Sequence, residues 1–62
     1  MKSISRGKTY KFKGKDGVVR QGIFTGNIHK WVGSTAILIL EGGEGVKYLV
    51  PDNLIIGEAE DV

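Results

Sequence analysis

The side chains in this sequence that could do chemistry with a partner fall in two places. Residues 26–34, GNIHKWVGS, carry the sole tryptophan, Trp31, and the sole histidine, His29, with Lys30 between them. A tryptophan beside cations can stack on a nucleic-acid base or anchor a protein interface. Upstream, Lys8, Lys11, Lys13, Lys15 and Arg20 could contact successive phosphates and release counterions, giving salt-dependent, sequence-independent affinity. Each feature also has an ordinary structural reading. A lone Trp is a large piece of core area, and lysines on an exposed strand protect its edge from aggregation.

Catalytic and metal chemistry find little to work with. One histidine and no cysteine cannot build a zinc site without many carboxylate ligands, and no Ser-His-Asp arrangement is present. Glu41, Glu44, Asp52, Glu58, Glu60 and Asp61 cluster late in the chain, but an acid-base pair needs a cleft to shift its pKa values. The GKDG loop of Gly14, Lys15, Asp16 and Gly17 lies between two strands, so it reads as a hairpin turn rather than a phosphate cradle. These residues point to a non-enzymatic binding module with no cofactor and no metal.

The elements that position such residues must come from a short chain. With 62 residues, 1–62 reads as one domain with a small core and no disulfides to brace it. No apolar run approaches the length of a membrane span and the N-terminus lacks the features of a secretory signal, so a cytoplasmic, non-membrane protein is expected. Charge is divided along the chain. Up to Leu40 eight basic residues face one acid, Asp16, whereas from Glu41 onward six acids face Lys47 alone. The molecule is expected to be bipolar rather than uniformly basic.

Ten glycines, many β-branched residues and no 3.6-residue apolar spacing predict an all-β fold. Residues 7–13 alternate, placing Tyr10 and Phe12 on one face and Thr9, Lys11 and Lys13 on the other. A second strand spans about 18–28, where Gly22 and Gly26 predict a bulge or sharp bend, and residues 32–34 read as the next turn. Simple alternation through Phe24, Gly26 and Ile28 puts these on the inner face and His29 and Trp31 on the outer one. Residues 35–40, TAILIL, are apolar on both faces, which predicts that the outer face is covered by another segment or another chain. A strand at 46–50 ended by Pro51, a helical turn at Asp52-Asn53 and a last strand at 54–56 follow, with loose ends at about 1–5 and 57–62. This layout predicts a five-stranded SH3-like small barrel, with an OB-type barrel as the alternative.

Two resemblances add to this reading. Residues 49–55, LVPDNLI, resemble the closing signature of SH3 domains, in which the Pro and Asn that match Pro51 and Asn53 help line a peptide groove. Leu54 stands where that family has its groove tyrosine. Over residues 8–46 the order of a Lys-aromatic strand, a Trp before Val-Gly, an apolar strand and an acidic Gly-rich hairpin is similar to that of the archaeal seven-kilodalton chromatin proteins. That resemblance implies an SH3-like barrel laying a sheet on DNA, with the Trp on the binding face. The leading expectation is nucleic-acid binding through Lys8, Lys11, Lys13, Lys15, Arg20, His29, Lys30 and Trp31. The alternative is a protein-interaction or regulatory module, as a homodimer or with another partner, using Ile37, Ile39 and Trp31.

Overall fold

The structure, a computed structural model, describes residues 4–59. As the sequence predicts, the fold is all-β. Five antiparallel strands, β1 (Thr9–Lys13), β2 (Val19–Val32), β3 (Thr35–Glu41), β4 (Lys47–Pro51) and β5 (Ile55–Glu58), form one sheet in the order β4-β3-β2-β1-β5. Among the described residues the only helical elements are single 3₁₀ turns at Gly43–Gly45 and Asp52–Leu54. No described helix is long and apolar enough to cross a membrane.

The strands follow from their side-chain patterns. In β1, Tyr10 and Phe12 point into the core while Lys11 and Lys13 stay exposed, which is the period-2 alternation of a half-buried strand. The hairpin to β2 is organised by Asp16, whose Oδ1 accepts the Val18 N–H at 3.0 Å, while Gly17 takes a φ of +82° that side chains disfavour. In β3, Ala36, Leu38 and Leu40 are buried and Ile37 and Ile39 face the other way. The β3–β4 register is continuous from Ile37↔Pro51 to Glu41↔Lys47, so no bulge disturbs that alternation. Pro51 is the last residue of β4 rather than the residue after it. It is tolerated there because β4 is an edge strand and Pro51 is its last residue, where proline is accommodated.

One core cluster draws on every strand: Tyr10, Phe12, Phe24, Ala36, Leu38, Leu40, Val50 and Ile55. Val50 and Ile55 belong to the two edge strands, so the sheet must coil strongly for both to meet the same neighbours. Leu40, at 0% exposure, is the centre of this packing. Burying such a side chain contributes about 1.5–3 kcal/mol, a large share for so small a domain.

The ends differ from the expected loose segments where they are described. Ile4 packs against the core, and the Ser5 N–H donates to the Tyr10 hydroxyl at 2.7 Å. The last strand begins at Ile55 rather than at residue 54 and runs on to Glu58, because Gly57 and Glu58 pair with Lys11 and Tyr10; the Ala59 N–H then donates to the Thr9 carbonyl. Unpaired backbone in β1 thus recruits residues that carry no apolar signal. The rest of the expected loose ends, 1–3 and 60–62, lies outside the described residues.

The largest difference lies in β2, which runs past 28 to Val32. Its pairing with β3 passes from Phe24↔Leu40 to Ile28↔Leu38, so residues 25–27 stand opposite Ile39 alone. Gly26 supplies a φ of +91° at this expected bend. Thr25 repairs the interrupted ladder: its hydroxyl donates to the Ile39 carbonyl at 3.0 Å and accepts the Asn27 N–H at 3.3 Å. A second break follows, from Ile28↔Leu38 to Lys30↔Ile37, leaving His29 as one extra residue. One extra residue inverts the parity of everything after it.

Candidate functional site

The two register breaks decide where the tryptophan points. The first adds two residues and preserves parity, so Ile28 stays on the core face with Phe24. The second adds only His29, so Lys30 turns outward opposite Ile37 and Trp31 returns to the core face opposite Ala36. Simple alternation places Trp31 on the outer face; the bulge at His29 overturns that placement. Trp31 is nevertheless 56% exposed, because it lies on the core side of the sheet beyond the last packed layer.

What surrounds it is a groove of about 570 Å³. It is lined by Ile28 and Trp31 of β2, Ala36 and Leu38 of β3, and Asp52 and Asn53 of the 3₁₀ turn. Ile4, which packs against the core, and Ile55, which belongs to it, line the groove as well. The 3₁₀ turn is held against β3 by a bond from the Ala36 N–H to Asp52 Oδ2, at 3.3 Å. The groove's lining is therefore mostly apolar with a few polar side chains, and Asp52 is its single charged one. A cleft of this kind suits a bulky apolar group flanked by hydrogen-bonding atoms.

The cations predicted to act together are spread over the molecule. Lys11 and Lys13 lie on the outer face of β1, and Lys15 sits in the adjoining hairpin; none of the three forms an ion pair with a described residue. Arg20 is committed elsewhere: its guanidinium makes a two-pronged pair with Asp16, at 3.0 and 2.8 Å. That guanidinium, helped by the Val18 N–H, lowers the Asp16 carboxyl from 3.8 to about 2, and Asp16 in turn raises the Arg20 pKa. Lys8 lies 3.4 Å from Glu58. Lys30 also faces outward, but at the far end of β2 from Lys13, while Trp31 belongs to the opposite face. Exposed His29 occupies the bulge, and among the described residues no cluster of three or more His, Cys, Asp or Glu could hold a metal ion.

Ile37 and Ile39, predicted as an interface together with Trp31, lie on the outer face, half-buried, next to Leu49 and Pro51 of β4. They do not share a surface with Trp31. The groove itself is not legible in the sequence beyond its tryptophan, since Ile4, Ile28 and Asp52 come together only through the bulge and the coiling of the sheet. No known protein family, curated protein or solved structure matches this chain.

Proposed function

We propose that this chain is an SH3-like small barrel that acts as a protein-interaction module, taking a short peptide segment of its partner into the Trp31 groove. The strand order supports the fold: β1 to β4 are neighbours in chain order, the last strand returns beside the first, and a single 3₁₀ turn precedes it. The observation that carries the function is Trp31 itself. It is a large aromatic 56% exposed within this groove, which Ile28, 44% exposed, also lines. Exposed apolar area in a rimmed cleft is characteristic of interaction sites, and tryptophan is prominent among residues that dominate binding energy. The partner segment would set a bulky apolar side chain against Trp31 and Ile28, with backbone groups meeting Asn53 and Ser34 at the rim.

The experiment is selection from a random-peptide display library on the immobilised protein, with W31A as the counter-target. Recovery of peptides that share an apolar anchor and bind the W31A protein at least tenfold more weakly supports the groove. Peptides that bind both proteins equally would sink it.

A second reading, nucleic-acid binding, is favoured by one observation: Lys11, Lys13 and Lys15 are neighbouring cations that no described acid pairs with. Such binding would weaken steeply with salt, and removal of Lys11 and Lys13 would reduce the salt slope by about two, one for each phosphate no longer neutralised. Peptide binding in an apolar groove would change little over the same salt range.

A further inference from the structure

The Trp31 groove contains one group that a purely apolar ligand would leave unsatisfied. Asp52 is its single charged side chain, and among the described residues no lysine, arginine or histidine lines it. Nor does Asp52 form an ion pair with any described residue. Its Oδ2 accepts the Ala36 N–H at 3.3 Å, which holds the carboxylate against β3. A carboxylate offers about four acceptor sites, so this one bond leaves most of its capacity unused by the backbone of β3. Asp52 is half-buried, and solvent reaches it in the free protein.

A segment seated in the groove takes that solvent away. A carboxylate that loses water without gaining a donor opposes binding, and the donor that offsets this best is a cation. Resting on the peptide-binding reading above, we propose that the partner segment carries a lysine or arginine that pairs with Asp52, close in sequence to the apolar side chain that meets Trp31. The ladder sets the spacing. Ala36 stands directly opposite Trp31, and its N–H is bonded to Asp52, so the carboxylate lies within about 10 Å of the Trp31 backbone. An extended segment rises about 3.3 Å per residue, which puts the basic residue within about three positions of the apolar anchor. The chain as a whole carries a net charge of +2 and does not attract basic peptides at long range. A preference for a basic residue at a fixed distance from the anchor is therefore the mark of Asp52 itself.

Selection from a random-peptide display library on the wild-type, D52N and W31A proteins tests the proposal, with circular dichroism checking that each variant folds. D52N keeps a side-chain oxygen for the Ala36 N–H and removes only the charge. The wild-type pool should be enriched in lysine or arginine within three positions of the apolar anchor, and the D52N pool should keep the anchor and lose the basic residue. In one peptide selected on the wild type, changing the basic residue to glutamine should weaken binding to the wild type at least tenfold and leave binding to D52N nearly unchanged. A wild-type pool with no basic enrichment, or a glutamine peptide that loses equally on both proteins, would overturn the pairing with Asp52 while W31A-sensitive binding still upheld the groove. Peptides that bind W31A as well as the wild type would remove the groove and this pairing together.

Discussion

Trp31 and Ala36 face each other across the β2–β3 ladder, yet Ala36 is 4% exposed and Trp31 56%. Direct partners in an antiparallel pair share a face, so the tryptophan belongs to the core side of the sheet. The core simply ends before it reaches the ring. This position turns a residue suited to core packing into the wall of a cleft.

Replacing Trp31 by alanine should therefore leave the domain folded. Roughly half of the side chain is removed from water, so the loss in a urea titration should be about 1–2 kcal/mol. Acrylamide should quench the native protein's fluorescence readily, because this sole tryptophan is open to solvent.

Leu40→Ala provides the contrast. Leu40 is fully buried at the centre of the cluster, and truncating such a residue costs about 2–5 kcal/mol through lost transfer energy and the cavity left behind. In a domain of this size that should lower the urea midpoint sharply or leave the protein unfolded at 37 °C.

The bend in β2 rests on Gly26. Its φ of +91° is disfavoured for any residue with a Cβ, and an added Cβ would also collide with the Arg6 side chain. Gly26→Ala should destabilise by about 1–3 kcal/mol. Gly43→Ala is the matched control, since a Cβ there meets nothing within 4 Å and its φ is not in the left-handed range; the change should be within about 0.5 kcal/mol.

The Asp16–Arg20 pair gives a pH signature. Folding lowers the Asp16 carboxyl from 3.8 to about 2, chiefly through the Arg20 hydrogen bonds, so the ionised form favours the folded state. The resulting stabilisation is complete above the unfolded-state value of about 4 and is lost as pH falls toward 2. An NMR titration should place the Asp16 carboxyl midpoint near 2, and Arg20→Gln should move it back toward 3.8. An ordinary midpoint in the native protein would contradict the pairing.

Most of the fold is legible in the sequence because its signals are local. Alternation in TYKFK and the Gly-Lys-Asp-Gly turn mark the first hairpin, and the Pro-Asp-Asn run marks the 3₁₀ turn. The extension of β5 through Gly57 and Glu58 is hidden because the partner backbone of β1, rather than side-chain pattern, holds it. The groove is hidden for a related reason. A bulge of one residue at His29 has no composition signal, unlike the glycine at 26, yet it alone decides which face Trp31 occupies. The basic row likewise divides once Arg20 is found on Asp16, a pairing that four-residue spacing along a turn permits but does not dictate.

The central claim is that the Trp31 groove is where this protein meets its partner. The most direct test is a nitrogen-proton NMR titration of the labelled protein with a peptide selected on it. Saturable shifts should centre on the Trp31 indole and on the amides of Ile28, Ala36 and Asn53, leaving Lys11 and Lys13 unmoved. Shifts centred on Lys11, Lys13 or the outer face of β3, with the Trp31 indole unchanged, would contradict it.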